Sequence, residues 1–302
     1  INKLDRVGAD FFGAIEMMKK RLNANPLILQ LPVGLEDDFS GVIDLINMKQ
    51  IIWEDESLGA TFREEDVPSN LLDTAKEYRE KLIETVAEVD DDIMEDYLSE
   101  TPVTPERLVV AIRKATIDLT LVPILCGSAL RNKGIQPLLD AIVEFLPSPL
   151  DVPPIKGVHP ETGQVVECKP NSSDPLAALI FKVSMIEGRK LSYVRIYSGT
   201  MNAKSDTYNP SRKINEKLSR ILKIHANKRE RIDSAGAGSL VGVIGLKESS
   251  TGETLCSIDH PVLLENIDFY EPVISVAVEP KTHADQEKLD QVLEKFMAED
   301  PT

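Results

Sequence analysis

The spacing of hydrophobic residues changes along the chain and divides it into two main regions. Before residue 147, apolar residues recur every three or four positions in several stretches, which predicts amphipathic helices. These helices are expected over residues 11–22 (with Asp10 as N-cap), 69–89, 105–118 and 134–145. The last should have an apolar face formed by Leu138, Leu139, Ile142 and Leu146. Short apolar runs between the helices predict strands over residues 27–33, 41–52 and 122–125.

After residue 155 the apolar runs become short and are separated by Gly, Asn, Asp or Ser, a pattern typical of a closed antiparallel barrel. The strands are expected over residues 176–183, 191–198, 206–209, 217–225, 239–244 and 254–256. The pattern therefore predicts a multi-domain protein in which an α/β region is followed by an all-β barrel.

Two further segments complete the predicted organisation. Residues 148–154 are rich in proline, which favours an extended, stiff linker between the two regions. Residues 272–302 should form a strand over 273–278, a turn at 279–281 and a helix over 284–297. Because one strand and one helix cannot bury a core, we expect this βα unit to be the truncated start of another domain.

Composition excludes several classes of protein. The 302 residues are 42% hydrophobic and 28% charged, without an apolar run of membrane-spanning length or a signal peptide, so a soluble cytoplasmic protein is expected. Three widely separated cysteines suit reduced thiols, and four scattered histidines make a metal site unexpected. The formal net charge of −16 argues against a simple nucleic-acid binder.

The first residues spell Asn2-Lys3-Leu4-Asp5, the Asn-Lys-x-Asp pattern with which guanine nucleotide-binding domains read their base. The Asp5 carboxylate can accept hydrogen bonds from guanine N1–H and the exocyclic amine, Asn2 can meet the other edge of the base, and the Lys3 stem can lie along the ring. Adenine would leave the buried acceptor unpaired, a penalty that supports discrimination of roughly 10⁴-fold or more.

A second motif follows the predicted strand over residues 122–125. The segment Cys126-Gly127-Ser128-Ala129 resembles the second base-reading loop of guanine-binding domains, in which the alanine N–H donates to guanine O6. Taken alone, it could be an ordinary strand–turn–helix connection. The combination with Asn2, Lys3 and Asp5 favours a guanine site formed by these residues with Ser128 and Ala129.

The sequence lacks the Gly-rich G-x-x-x-x-G-K-[ST] loop that holds nucleotide phosphates. It should therefore read a guanine ring without holding a triphosphate. We expect no catalytic residue, no bound cofactor and no GTP hydrolysis for these 302 residues by themselves.

The two base-reading motifs are separated by about a hundred residues, where a minimal guanine-binding domain has a single helix. Residues 26–118 are therefore interpreted as an inserted α+β subdomain. The insertion carries four acidic clusters: 36–38, 54–56, 64–66 and 90–92. Each could be a solvated face, but together they suggest a docking surface for a basic partner.

The charge reverses within the predicted barrel. Between Lys204 and Arg231 there are nine basic and three acidic residues. A basic stripe of this kind suits contact with a phosphate backbone, although a solvated Lys/Arg face is the alternative. The candidates for RNA contact are Lys217, Arg220, Lys223, Lys228 and Arg229.

Nearly the whole chain resembles bacterial translation elongation factor G, the ribosomal translocation GTPase. The motifs that carry the resemblance are Asn2 to Arg6, Gly8 to Phe12, Cys126 to Ala129, Leu146 to Pro153, Arg195 to Gly199, His225 to Glu230, Gly245 to Lys247, Glu271 to Ser275 and Glu279 to Thr282. Their order along the chain makes the match specific.

The resemblance implies a domain assignment and a set of partners. Residues 1–147 would be the C-terminal part of the G domain with its insertion, 155–265 the barrel domain II, and 272–302 the start of domain III. The complete protein would bind GTP and GDP, with Mg²⁺ held by segments outside this sequence. Domain II would contact ribosomal RNA, and the acidic insertion would meet the ribosomal stalk protein.

One segment departs from this pattern. Residues 185–190 replace a longer Asp-Pro-aromatic-x-Gly loop that is usual in elongation factor G. A specialised paralogue, a ribosome-protection or release-factor relative, and a non-enzymatic ribosome-binding module are the alternatives to the elongation factor itself.

Overall fold

The computed structural model describes residues 1–54, 59–186, 188–265, 267, 273–280 and 282–300. The chain divides into two compact units, Ile1–Asp151 and Val152–Thr302. Parts of three sequence features lie outside the described residues: Asp55 and Glu56 of one acidic cluster, Glu187 of the 185–190 segment, and residues 271, 272, 281, 301 and 302 near the end.

The helices in the described part of the first unit are α1 (Phe11–Leu22), α2 (Ser69–Ala87), α3 (Asp91–Leu98), α4 (Pro105–Ile117) and α5 (Ile135–Phe145). Three of them, α1, α3 and α4, begin after a residue whose side chain accepts a hydrogen bond from the first turn. Asp10 accepts from the Gly13 N–H at 2.9 Å, as predicted. The sequence analysis misses α3, because it interprets the acidic start of this helix only as a charge cluster. Asp90 caps this helix by accepting from the Ile93 N–H.

The strands of the first unit are β1 (Pro26–Ile28), β2 (Gln30–Val33), β3 (Gly41–Asp44), β4 (Lys49–Trp53), β5 (Phe62–Asp66) and β6 (Val122–Ile124). The prediction of continuous strands over 27–33 and 41–52 is wrong, since each is divided in two. β1 pairs in parallel with β6, and the chain then changes sheet at Leu29 to enter the antiparallel β2–β3–β4–β5 sheet. The second division is a turn after Asp44, whose carboxylate accepts from the Ile46 N–H.

A single hydrophobic core connects both sheets with the helices of this unit, and it includes Leu4, Phe11 and Ile15 near the first motif. The prediction of the apolar face of α5 is wrong. Leu138, Leu139, Ile142 and Leu146 are exposed, while Ala141 and Phe145 are buried. Helical spacing identified an apolar stripe, but the side that packs is the one facing the neighbouring α4.

The second unit is built mainly from antiparallel strands. They are β7 (Ile155–Val158), β8 (Val165–Cys168), β9 (Ala177–Ile186), β10 (Arg189–Ser198), β11 (Thr200–Asn202), β12 (Asp206–Asn209), β13 (Ile214–Lys217), β14 (Arg220–His225), β15 (Lys228–Ile232), β16 (Ser234–Gly236), β17 (Leu240–Ile244) and β18 (Thr254–Cys256). Eight of them form one sheet, in the order β13-β12-β18-β9-β10-β17-β14-β15.

This sheet closes into the expected barrel through one bent segment. β13 pairs with β12 at one end of the order and β14 pairs with β17 near the other, yet only Leu218 and Ser219 separate β13 from β14. The Ser219 N–H continues the ladder to Ile244 O at 2.8 Å. The interior is filled by alternating apolar residues, among them Ile180, Val194 and Val243.

The last segment differs partly from the prediction. Helix α6 (His283–Glu299) is present, but residues 273–278 form no strand, and Val273 is 99% exposed. A strand is stable only when a neighbour pairs with its backbone groups, and among the described residues none pairs with this segment. None of the helices in the described part of the chain is both long and apolar enough to cross a membrane.

Candidate functional site: a base-reading pocket

Backbone pairing brings the two base-reading motifs together from opposite ends of the first unit. The Ile1 ammonium group donates to Leu125 O at 2.7 Å, and the Gly127 N–H donates back to Ile1 O at 3.0 Å. The Leu4 N–H then donates to Gly127 O at 3.3 Å. The first two bonds follow the pattern of a parallel ladder, and the third is shifted by one residue, because Leu4 rather than Lys3 donates to Gly127 O. Both motifs therefore lie at the same end of adjacent extended segments.

Asn2 connects the two motifs directly. Its side-chain oxygen accepts from the Lys3 N–H at 2.7 Å and from the Ala129 N–H at 2.9 Å. The Ala129 N–H, which the sequence analysis assigned to guanine O6, thus donates to Asn2 in this structure. Lys3 is exposed and has a left-handed backbone with φ of 68°, so its stem stands on the solvent side of the motif.

Asp5 is the most constrained polar side chain of the site. Its side chain is 10% exposed, and its Oδ1 is buried without a hydrogen-bond partner among the described residues. A hydrogen bond from the Ser128 side chain is the main cause that lowers the pKa of Asp5 below its ordinary value. Arg131 Nε lies 3.8 Å from the other oxygen, Oδ2. The site therefore offers an ionised acceptor with one oxygen left unpaired.

The second loop is held by a short backbone closure. Ser128 is fully buried, and it exchanges two backbone hydrogen bonds with Lys133, of 2.9 and 3.0 Å. Gly134 follows with φ of 86°, and a Cβ at this position would lie 2.6 Å from Cys126 O. Only glycine suits both conditions. The closure fixes the Ser128-Ala129 turn beside Asp5.

Sequence reasoning missed two residues that contact this site. Arg131 adds a positive charge next to Asp5, and Glu36 binds the backbone on either side of Asp5. Glu36 lies 31 positions from Asp5 within an acidic cluster, and no motif marks it. Among the described residues, no group of three or more His, Cys, Asp or Glu side chains is placed to hold a metal ion.

The five basic residues proposed for RNA contact are exposed, but they do not share one face. In the β14–β15 hairpin, Lys223 pairs with Glu230, and His225 pairs with Lys228. Arg229 pairs instead with Ile224. Side chains alternate between faces along a strand, so Lys223 and Lys228 lie on one face of the hairpin while Arg220 and Arg229 lie on the other.

The hairpin also extends past the rest of the sheet. Within β14, residues 220–222 pair with β17 and residues 223–225 do not. In the described part of the chain, β15 pairs with no strand other than β14. Lys217 belongs to a different place, opposite Asp206 in the β12–β13 ladder. The five basic residues therefore do not form the expected single stripe. Four of them lie on the two faces of the β14–β15 hairpin, and Lys217 lies on the neighbouring strand β13.

The acidic clusters of the insertion have local roles in addition to their charge. Asp90 caps α3 and pairs with Lys114 at 3.5 Å, and Asp66 pairs with Lys49 at 2.7 Å. The Glu36 carboxylate accepts a hydrogen bond from the Gly8 N–H, close to Asp5. The acidic charge that remains exposed includes Asp73, Glu80 and Glu84 on α2 and Glu88 at the C-cap of this helix, while the exposed Glu77 pairs with Lys81.

Comparison with protein families gives three matches in chain order. Residues 1–148 match the family described as Elongation factor Tu GTP binding domain. Residues 175–258 match Elongation factor G domain 2, and residues 269–302 match Elongation Factor G, domain III. Together they extend over both units of the structure.

Individual proteins give the same result. The chain is 53% identical over all 302 residues to Elongation factor G 2 of Syntrophus aciditrophicus (strain SB), and it spans 45% of that relative's length. Among solved structures, a crystal structure of a Thermus thermophilus protein matches with a TM-score of 0.79 and 25% identity. That match covers 99% of this chain and 42% of the other.

Proposed function

The chain belongs to the elongation factor G family, in which we include its elongation factor G-like paralogues, and we propose that it carries the guanine-reading half of a translational GTPase. In the proposal, the complete protein hydrolyses GTP in the cytoplasm while it acts on the ribosome in translocation. The present residues would select the base, and phosphates and Mg²⁺ would be held by segments outside this sequence.

The observation that carries the proposal is the unpaired Asp5 Oδ1. A buried acceptor without a partner costs free energy, about 1–3 kcal/mol for an ordinary group and more for a charged one. Guanine presents two adjacent donors, N1–H and the 2-amine, which suit the two oxygens of one ionised carboxylate. Adenine has no amine at that position. The residues present therefore fit a guanine base and penalise adenine.

Asn2 and Ala129 have a second role in this proposal. The Ala129 N–H would exchange its bond with Asn2 for guanine O6, which would free the Asn2 side chain to meet the base edge. Lys3 would lie along the ring from the solvent side. Each group then supplies one contact with a different edge or face of guanine. GTP and GDP share this base, so the site would not distinguish between them.

Competition binding on the intact protein tests the base assignment. Fluorescent N-methylanthraniloyl-GDP would be displaced by unlabelled GDP, IDP or ADP. We expect GDP to compete best, IDP to lose affinity because it lacks the 2-amine, and ADP to be weaker by roughly 10³-fold or more. Equal competition by ADP and GDP would rule out base recognition by Asp5.

We propose that the basic β14–β15 hairpin contacts phosphates of ribosomal RNA, together with Lys217. The support is its position at the edge of the barrel, beyond the last pairing of β17, with cations on both faces. A two-stranded ribbon with this distribution can touch phosphate strands on either side. Each phosphate contact should contribute about 0.7–0.9 to the salt slope of binding.

Single charge reversals separate the two faces. Lys228→Glu tests one face and Arg229→Glu the other, at adjacent positions that are both exposed. For a hairpin between two phosphate strands, both variants flatten the salt dependence of ribosome binding by the intact protein, and both keep the melting temperature, since exposed charges contribute little to folding. A slope unchanged in both variants would exclude RNA contact by the hairpin.

The insertion is proposed as the surface for a basic partner, by family resemblance the ribosomal stalk protein. Asp73, Glu80 and Glu84 of α2 support this proposal, because they are exposed, form no salt bridge among the described residues and can face a cationic surface. Charge reversal of Glu80 and Glu84 to Lys should lower the on-rate of a stalk protein in surface plasmon resonance. The same change at Glu161 and Glu167, which are exposed and lie outside the insertion, is the matched control.

Met185 and Ile186 are the last residues of β9 and pair with Lys190 and Arg189 of β10, so only positions 187 and 188 separate the two strands where the resemblance leads us to expect a longer loop. We propose that this protein is either the elongation factor or a specialised paralogue with the same base site. Complementation of a strain depleted of its elongation factor G distinguishes them, since only a translocating factor restores growth.

A further inference from the structure

Among the described residues, Glu36 is the residue of the inserted subdomain that hydrogen-bonds to the first base-reading loop. The Glu36 N–H donates to Leu4 O at 2.7 Å, and its carboxylate Oε1 accepts from the Gly8 N–H at 2.6 Å. Leu4 and Gly8 lie on either side of Asp5. Glu36 therefore holds the motif on both sides of its base-reading carboxylate, once as a donor and once as an acceptor.

The second loop is supported by the same subdomain at different points. Lys133 Nζ donates to Phe39 O at 3.2 Å, while Asn132 Nδ2 and Gln136 Nε2 both donate to Gly59 O at 3.0 Å. A Cβ on Gly59 would lie 2.7 Å from Asn132 O, and Gly59 has φ of 75°. This close approach requires glycine. Loops of the insertion thus form hydrogen bonds with both loops of the site.

The backbone of Glu36 has a strained conformation that its hydrogen bonds hold in place. Glu36 has φ of 57°, a left-handed conformation that is costly for a residue other than glycine or asparagine. Such strain persists where other interactions hold it, and here the two bonds to Leu4 and Gly8 do so. Asp37 and Asp38 are exposed neighbours of the same charge. They provide matched comparisons for the role of Glu36.

We propose that Glu36 is a positioning residue for guanine recognition, and that the insertion supports the base site through Glu36 on one loop and Gly59 on the other. The inference rests on the proposed function of Asp5 as the guanine reader. Asp5 can pair both oxygens with the base only if its backbone is fixed, because hydrogen bonds weaken steeply with misalignment. Glu36 never contacts the base in this proposal.

Stopped-flow measurement of nucleotide release from the intact protein tests the proposal. N-methylanthraniloyl-GDP and the corresponding IDP derivative would be displaced from wild type, Glu36→Ala, Glu36→Gln and Asp37→Ala. We expect Glu36→Ala to release GDP roughly 2- to 10-fold faster, the effect of the one net hydrogen bond that it removes, because the backbone N–H of residue 36 can still donate to Leu4 O. IDP release should change less, because IDP lacks the amine that the positioned Asp5 reads.

The other variants show whether positioning is the cause. Glu36→Gln keeps an acceptor oxygen for Gly8 and should return GDP release to within about twofold of wild type. Asp37→Ala should match wild type. Gln136→Ala, in the first turn of α5, removes a donor to Gly59 O together with the acceptor for Trp53 Nε1, and it should also speed GDP release. It keeps the test decisive if Glu36→Ala does not fold.

The outcomes also separate this inference from the function on which it rests. Unchanged GDP release and an unchanged GDP-to-IDP ratio in folded Glu36→Ala or, failing its folding, in Gln136→Ala would overturn the positioning role. A wild-type protein that binds ADP as tightly as GDP would overturn the guanine assignment of Asp5 instead. A loss of melting temperature with an equal change for GDP and IDP would reduce Glu36 to a purely structural residue.

Discussion

Replacing Asp5 with asparagine should change which base the intact protein prefers. The carboxylate can accept from both guanine donors, whereas an amide offers one acceptor and one NH₂ group. The NH₂ group would face a guanine donor in a site where Asp5 is 10% exposed and water cannot easily intervene. Xanthine carries a carbonyl in place of the guanine 2-amine. It would accept a hydrogen bond from the new amide.

The magnitude follows from the bonds that are exchanged. Losing one charge-assisted hydrogen bond costs about 1.5–3 kcal/mol, which corresponds to roughly 10- to 150-fold weaker GDP binding. The unpaired Asp5 Oδ1 makes the upper part of this range the better expectation, because no neighbouring protein group competes for that oxygen in the described structure. Xanthosine diphosphate should gain affinity by a comparable factor.

Titration calorimetry of wild type and Asp5→Asn with GDP and xanthosine diphosphate is the assay, with Asp37→Asn as the exposed control. The pKa of Asp5 is lowered below its ordinary 3.8, chiefly by the Ser128 hydrogen bond. The carboxylate is therefore ionised at neutral and mildly acidic pH, and GDP preference should be constant over that range and be lost only as the pH falls through the lowered pKa of Asp5. An Asp5→Asn protein that still prefers GDP would refute the reasoning.

Three further predictions concern the 302-residue chain itself. Without a phosphate loop it should hydrolyse no GTP and bind GTP or GDP no tighter than about millimolar, because most charge-assisted bonds to the nucleotide are missing; a micromolar constant by calorimetry would contradict this. Burial raises the pKa of the Cys126 thiol to about 12 and also raises the pKa of Cys168 and Cys256. A thiol-reactive chromophore at pH 8 should therefore label none of these cysteines until the chain is denatured. Stoichiometric labelling of the folded protein would be inconsistent with the burial of the thiols. Asp10→Ala removes the cap of α1 and should lower the free energy of unfolding of the first unit by about 1 kcal/mol, measured by urea denaturation with the fluorescence of the single tryptophan; no change would show that the cap contributes nothing.

Local patterns in the sequence were sufficient for elements whose cause is local. The cap at Asp10, the helical spacing of α2, α4 and α5, and strands β9, β10, β12, β17 and β18 appear where hydrophobic period and capping chemistry place them. Strands β7, β8, β11, β15 and β16 were not predicted, and the expected strand over 217–225 is divided at Leu218 and Ser219. Asn2, Lys3, Asp5, Ser128 and Ala129 were recognised as candidates because base reading requires particular donors and acceptors in order. These predictions depend on neighbours along the chain.

Tertiary structure decided what depends on distant partners. The run over 27–33 divides at Leu29 because its halves find different sheets, and residues 273–278 remain unpaired among the described residues despite their β-branched composition. Strand formation is completed by a neighbour, which propensity alone does not supply.

The same distinction applies to the base site. The sequence supplied the two motifs, but only the fold brought Ile1 beside Leu125, left Asp5 Oδ1 unpaired and placed Glu36 against Leu4 and Gly8. Adjacent basic residues likewise separated onto opposite faces of one hairpin once strand pairing was known. The chemistry of a residue type can be inferred from the sequence. The burial of a side chain, its hydrogen-bond partners and the face of the sheet on which it lies are decided by the folded chain, because they depend on groups that are far apart in the sequence.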